Sequence, residues 1–191
     1  MPIFGITASS NMSTKLTDFF QIATTTLGSA QSSFTFSSIP QDYTHLQIRF
    51  SCQSSDTAAS GFGNNRLNGY FNADETATNY YNHALVGNGD NPVTSEPENT
   101  AKWAGNATRN SSAGWGTNVI DILDYTNTNK FKTTRCLTGF SNNDNTTGTG
   151  SARLVSGLWK NTAAITSIKI IPEAAVNFKQ NSIFSLYGVK A

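Results

Sequence analysis

The sequence predicts an all-β protein, an antiparallel β-sandwich of jelly-roll type that follows a short N-terminal arm. Apolar and polar residues alternate along short segments, as where Leu46, Ile48 and Phe50 alternate with polar neighbours, and this is the pattern of a half-buried strand. Such segments recur between clusters of Gly, Pro, Asn and Ser, as in sandwiches and barrels. Thr, Ser and Asn supply 67 of the 191 residues, a composition that favours strands and turns over helices.

The arm is predicted from residues 1–16, MPIFGITASSNMSTKL, which show no sustained period. Their apolar residues, chiefly Ile3, Phe4 and Ile6, are too few to form a core, so the segment is expected to order only against a neighbour. We therefore predict that Ile3, Phe4 and Ile6 enter apolar grooves of a neighbouring subunit; a frayed terminus is the alternative. Residues 17–191 are predicted to form one sandwich domain.

Ten segments of that domain are predicted to be strands: 19–26, 33–38, 44–52, 66–72, 101–109, 117–124, 131–140, 151–159, 164–171 and 183–190. The segment NVIDILDY (118–125) is almost continuously apolar and is predicted to be central, whereas IFSLYGVK places Phe184, Leu186 and Gly188 on one face. The one helix candidate is 74–85, where Thr and Asn predict a helix that is short or absent.

The two cysteines, Cys52 and Cys136, lie 84 positions apart on predicted strands. We predict that they are reduced, buried core residues rather than a disulfide, with Cys52 on the same strand face as Leu46, Ile48 and Phe50. A zinc site is not expected, because neither histidine stands at ligand spacing to a cysteine.

Residues suited to catalysis are scarce, and the chain is predicted not to be an enzyme. His45 is interpreted as a solvent-facing strand residue, and neither it nor His83 accompanies a nucleophile motif. Asp121 and Asp124 are three positions apart, so on one strand they would point to opposite faces rather than form a carboxylate pair. Residues 141–150 carry one carboxylate and are interpreted as a hairpin loop, not a Ca²⁺ site. No cofactor or metal is expected.

The charge balance argues against nucleic acid and membrane partners. Thirteen Lys and Arg residues face twelve Asp and Glu residues, for a net charge of +1, and the densest basic group is KFKTTR at 130–135. That group is too sparse to follow a phosphate backbone.

No apolar stretch approaches the length of a membrane span, and residues 1–8 lack the features of a secretory signal. If the protein reaches the outside of the cell, it is therefore expected to be released from the cell rather than exported.

Four aromatic residues near loops, Tyr80, Tyr81, Trp103 and Trp115, allow two interpretations. Such rings stack on sugars when hydrogen-bonding Asn and Asp groups stand beside them. They also wall a sandwich core or a subunit interface, which is the favoured interpretation.

Four segments, taken in order, resemble a family of virion proteins from tailed bacteriophages. They are FQIATTTLGSAQSSFTFSSIPQDYTHLQIRF (20–50), VIDILDYTNTNKFKTTRCLTGF (119–140), LVSGLWKNTAAITSIKI (154–170) and FSLYGVK (184–190). The resemblance implies a structural protein of the virion, assembled in the host cytoplasm and released by lysis. The favoured role is a capsid decoration or cement protein that binds the major capsid protein and stabilises the head. The alternative is a tail-associated receptor-binding or adaptor module that recognises a host surface glycan.

Self-association is expected as well. Jelly-roll coat modules pack sheet edges around symmetry axes, and exposed edges need covering, so a symmetric oligomer is predicted, with a trimer favoured over a dimer. The chain lacks the collagen-like, heptad or β-helical shaft of a complete fibre, and this favours the head over the tail.

Overall fold

A computed structural model describes residues 18–56, 64–87, 94–98, 100–108, 114–141, 150–173 and 175–190. For residues 64–65 and 94–98 it describes the backbone alone. The predicted arm with Ile3, Phe4 and Ile6, and most of the loop at 141–150, lie outside the described residues.

The described residues form twelve strands and one 3-10 turn, Ala77–Asn79. The strands are β1 Phe19–Thr26, β2 Phe34–Phe36, β3 His45–Cys52, β4 Asn64–Phe71, β5 Tyr80–Gly87, β6 Thr94–Glu98, β7 Asn106–Thr108, β8 Gly116–Leu123, β9 Lys132–Phe140, β10 Ser151–Trp159, β11 Ile168–Pro172 and β12 Ile183–Val189. No helix among these residues is long and apolar enough to cross a membrane.

The strands form two sheets that pack as a sandwich, so the predicted all-β sandwich is confirmed. The large sheet has the order β1-β12-β3-β8-β9-β10-β5-β6, and the small sheet has the order β2-β11-β4-β7. Neighbouring strands run antiparallel in both sheets. The order β1-β12-β3-β8 opposite β2-β11-β4-β7 is consistent with a jelly roll. Strands β9, β10, β5 and β6 then widen the large sheet beyond those eight strands.

Aliphatic and aromatic side chains from both sheets meet in one core. Leu46, Ile48, Phe50 and Cys52 on β3 are all buried, as their common parity predicts. The ring of Phe34 from the small sheet stacks on that of Phe184 from the large sheet, with centroids 4.3 Å apart. The predicted common face of Phe184, Leu186 and Gly188 is likewise buried, and β8 is central as expected.

A second part of the core fills the space beneath the widened half of the large sheet. Trp103 stacks on Phe71 with ring centroids 4.7 Å apart, and Trp159 lies 5.4 Å from Phe71. Two glycines make room for the indole of Trp103. A Cβ atom at Gly69 would lie 2.3 Å from the indole, and one at Gly157 would lie 2.6 Å from the Trp103 Cβ. Neither position can carry a side chain without displacing this ring.

Both cysteines are free and fully buried, as predicted. Burial raises the pKa of the Cys52 thiol, and it raises the pKa of the Cys136 thiol to about 12. Both sulfurs therefore remain protonated and unreactive near neutral pH.

The helix candidate at 74–85 is short, as expected, and forms a single 3-10 turn. Other elements differ from the sequence-based expectation. The turn is followed by β5, a strand that was not expected, in which Tyr80, Asn82 and Ala84 alternate inward with a period of two. Strand β6 was not expected at all. In the predicted strand 101–109, residues 101–104 form bends and turns, and Asn106–Thr108 is the one strand within the described part, 101–108.

Candidate functional site

The outer face of the large sheet, the side that faces away from the small sheet, carries an unusual line of exposed aliphatic residues. Leu85 on β5 pairs with Leu154 on β10, Leu154 pairs with Leu137 on β9, and Leu137 pairs with Val119 on β8. We call these four residues the apolar row. Their exposed fractions are 52%, 44%, 60% and 37% in that order. Because directly opposed residues have Cβ atoms about 5 Å apart, the row is one continuous apolar strip.

Beside the apolar row lies a line of small residues, which we call the small row: Gly87, Ala152, Gly139, Thr117 and Ser51. Their short side chains leave a depression of about 620 Å³ between Val119 and Leu137 on one side and Ile183 on another. Ile183 is itself 43% exposed and pairs with Ser51. The surface thus consists of an aliphatic ridge next to a shallow trough.

On the opposite side of the apolar row lies a line of larger polar residues, which we call the polar row: His83, Ser156, Arg135, Asp121 and Gln47. Arg135 donates to one oxygen of Asp121 through Nε at 3.2 Å and through a terminal nitrogen at 2.6 Å. Gln47 donates to the other oxygen at 2.7 Å. Asp121 therefore lies on the outer face, where Arg135 compensates its charge and both of its carboxylate oxygens accept hydrogen bonds.

Arg49 ends the apolar row on β3, where it pairs with Val119. Its Nε donates to the side-chain oxygen of Gln47 at 2.6 Å, so the guanidinium leans toward the polar row. It also lies over the rings of Phe19 and Tyr187, 5.0 and 5.5 Å from their centroids, and these two rings stack on each other. The cation–π contacts hold this charge at the border of the apolar surface.

His45 lies on the outer face of β3, as the alternation predicts, and it contacts the turn after β8. It is half-buried, and its Nδ1 accepts a hydrogen bond of 3.0 Å from the backbone N–H of Asp124. Asp124 lies just beyond β8 with φ of 47°, so it is not on the strand with Asp121. The hydrogen bond from Lys130 lowers the pKa of the Asp124 carboxyl, partial burial opposes this, and nearby positive charges lower it further. The contacts among His45, Asp124 and Lys130 stabilise the turn after β8.

Two of the four aromatic candidates lie in the core. Tyr80 and Trp103 are 0% and 1% exposed, so they present no ring face to a ligand. The Tyr80 hydroxyl donates to the backbone oxygen of Asp74 and accepts from the N–H of Phe71, and burial raises its pKa. These contacts fit the interpretation that such rings wall the core.

The other two candidates do not come together. Tyr81 is half-buried beneath the Lys160 ammonium, 4.5 Å from its ring centroid. Strand pairing from β5 through β10 and β9 to β8 places Tyr81 in the same cross-strand row as Leu123. Trp115 is 36% exposed and precedes Leu123 by eight residues, which is roughly 27 Å along a strand. The four rings therefore do not form one sugar-binding platform.

Polar groups do converge at one other place on the outer face. A depression of about 320 Å³ is lined by Phe19, His45, Gln47, Asp121, Leu123 and Arg135, among others. An aromatic ring and aliphatic groups thus lie next to hydrogen-bonding side chains. Within the part of the chain that the structure describes, no three His, Cys, Asp or Glu residues are close enough to hold a metal ion.

Comparison with known proteins found no family model and no curated protein that matches this chain.

Proposed function

We propose that this protein is a structural component of a tailed-bacteriophage virion, in the favoured case a decoration or cement protein that binds the major capsid protein. The observation that carries a binding role is the outer face of the large sheet, where the apolar row and the trough are exposed on a broad sheet. Soluble monomers rarely leave a contiguous apolar surface of this kind without a partner. The resemblance of four segments to phage virion proteins supports the assignment to a virion.

The physical properties of the chain support the same role. Only 13% of the residues are charged, so few surface contacts are weakened by salt. The free thiols of Cys52 and Cys136 are compatible with assembly in the reducing host cytoplasm, followed by release through lysis.

Attachment is proposed to use the arm at residues 1–16 as well. In this proposal, Ile3, Phe4 and Ile6 occupy apolar grooves on a neighbouring capsid subunit. The folded domain holds the arm near its site, so the entropy cost of ordering the arm is offset by its high effective concentration.

The alternative is a tail-associated adaptor or receptor-binding module that recognises a host surface glycan. The specific observation that favours it is the depression beside Phe19, where Gln47, Asp121 and Arg135 offer hydrogen-bonding groups next to a ring. This depression is not lined by Tyr80, Tyr81, Trp103 or Trp115, the four residues at which the sequence analysis placed a glycan site.

Electron microscopy of purified phage particles labelled with an antibody against this chain tests the proposal. Label on the head is expected; label on the tail would favour the glycan-binding alternative, and unlabelled particles would overturn both.

Particles without the protein are expected to lose DNA at a lower temperature. Protein lacking residues 1–16 should fold yet occupy particles far less, and full occupancy would eliminate the arm from the mechanism.

A further inference from the structure

We infer that two copies of this chain pack face to face through the outer faces of their large sheets, with the two apolar rows in contact. This inference goes beyond the proposed function and assigns the outer face to a second copy, so that attachment to a capsid is left to the arm and to surfaces outside this face. The partner it names is a second copy of the same chain.

The apolar row has no cover within the described chain. Leu137 is 60% exposed and Leu85 is 52% exposed, although both lie on inner strands of an eight-stranded sheet rather than at its edges. Leu123 and Ile183, 45% and 43% exposed, lie on the same face. A sheet that buries only one face normally places polar residues on the other. Six exposed aliphatic residues on one such face are therefore the pattern of a sheet that is covered on both sides.

The outer face is also large enough for a stable contact. Seven strands from β1 to β5, about 4.8 Å apart, make the face about 29 Å wide. The apolar row lies about three residues from the nearer strand ends, so two copies overlap over about six residue steps of 3.4 Å, or roughly 590 Å² per copy in projection. The two copies together then bury about 1,200 Å², and a biological interface should clear about 1,000 Å².

The three rows are complementary to themselves under a two-fold rotation. An axis that runs along the apolar row places the apolar row of each copy on that of the other. It also brings the polar row of one copy over the small row of the other, so that Arg135 lies above Gly139 and Gln47 lies above Ser51 of the second copy. Large side chains thus meet a trough in both directions, as an isologous contact requires.

The charges of the polar row are compensated within each copy, and the two copies of Arg49 avoid direct opposition. The acidic and basic members of the polar row, Asp121 and Arg135, are already paired within each copy at 2.6 Å. Arg49 leans toward Gln47, away from the line of the axis, so the two copies of Arg49 are displaced in opposite directions. A self-contact of this kind has two-fold symmetry, and it therefore predicts a dimer in place of the trimer that the sequence favours.

Light scattering of the purified full-length chain across a wide range of concentrations tests the inference. We expect twice the chain mass for the natural protein and a monomer, or at least a tenfold weaker dimer, for Leu137→Asp. Phe131→Asp is the matched control, because Phe131 is similarly exposed at 48% but precedes β9; it should remain a dimer. A natural protein that is monomeric, or a Leu137→Asp variant that associates normally, would overturn the inference.

A cross-link tests the geometry without removing the contact. Leu137 lies on the axis, but facing sheets pack about 10 Å apart, which is too far for a disulfide. A short bis-maleimide reagent should therefore join two copies of Leu137→Cys, whereas it should not join two copies of Phe131→Cys. The native thiols are buried and do not compete. Failure of Leu137→Cys to cross-link would exclude the two-fold along the apolar row. Deletion of residues 1–16 should leave the dimer intact. Loss of the dimer, or its appearance only after deletion, would identify the arm as the element that governs this face and overturn the inference.

Discussion

Lys132 is fully buried at the start of β9, and we predict that the substitution Lys132→Met destabilises the protein strongly. Its ammonium donates hydrogen bonds to three backbone oxygens, those of Asn127, Lys130 and Thr162, the last two at 3.0 and 2.9 Å. The first two belong to the connection between β8 and β9, and Thr162 belongs to the connection after β10. One side chain therefore ties two loops to the end of the large sheet.

The magnitude follows from two opposing contributions. Leaving three carbonyl groups without their donor costs about 1–3 kcal/mol each where water cannot replace it. Removing the ammonium returns several kcal/mol, because a buried charge is itself costly. Burial lowers the pKa of Lys132 for that reason, and the nearby Lys130 charge lowers it further. Since Lys130 and Thr162 are exposed residues and water can reach part of the site, we expect a net loss of about 2–4 kcal/mol.

Urea unfolding followed by tryptophan fluorescence measures this loss. The unfolding midpoint should fall while the slope stays constant, because the same surface is exposed on unfolding. The control is Lys130→Met, which removes an exposed ion pair with Asp124 and should cost less than about 1 kcal/mol. A Lys132→Met protein within about 0.5 kcal/mol of the natural one would refute the proposed role, since ordinary surface substitutions fall in that range.

Three further predictions concern the core and the turn after β8. Gly157→Ala should cost more than about 1 kcal/mol in thermal unfolding, because its methyl group would lie 2.4 Å from the Thr134 hydroxyl oxygen and 2.6 Å from the Trp103 Cβ. Gly139→Ala, whose methyl group would have no neighbour closer than 3.6 Å, should cost far less. Cys52 and Cys136 should resist a thiol reagent in the native protein and both react after denaturation without reductant; one or no reactive thiol would contradict this. The pKa of Asp124 is lowered in the folded state, so its stabilisation is present above the unfolded carboxyl pKa and is lost as pH falls through the folded pKa. Asp124→Asn should therefore flatten the acid side of the stability profile, and an unchanged acid side would exclude this contribution.

The sequence predicts strand faces well where the alternation is strong. On β3 the local alternation alone predicts which face is buried: Leu46, Ile48, Phe50 and Cys52 share parity, and all four are buried. On β5, the inward residues include Asn82, and the outward ones include Leu85, so the local pattern does not separate core from surface. The β5 strand is held by its pairing with β10, and a contact between residues so distant in the chain leaves no local signal.

The apolar row illustrates the same limit at the level of function. Val119, Leu137 and Leu154 each interrupt the polar face of a single strand, and each interruption taken alone is ordinary. They form a surface only because the registers of β8, β9 and β10 align them. Register depends on pairing between distant segments, so the candidate residues could be noticed in the sequence but not joined into a site.

The last prediction follows from a difference in the polarity of the residues that the two halves of the large sheet bury. The inner residues of β3 are all apolar, whereas the inner faces of β9 and β10 carry Thr134, Thr138 and Ser151, whose buried hydroxyls have no hydrogen-bond partner within the described parts of the chain. Burying such groups without partners is unfavourable. The widened half should therefore open at a lower free energy than the other half.

Amide hydrogen exchange on the monomeric Leu137→Asp variant should show faster exchange in β9 and β10 than in β3, and the dimer should protect the widened half selectively. Three of the four residues of the apolar row lie on β5, β10 and β9, so a second copy would cover the strands whose own core stabilises them least. Equal protection of both halves in the monomer would mean that the added strands need no partner for their stability. The outer face would then be an exposed apolar surface on a sheet that is stable alone.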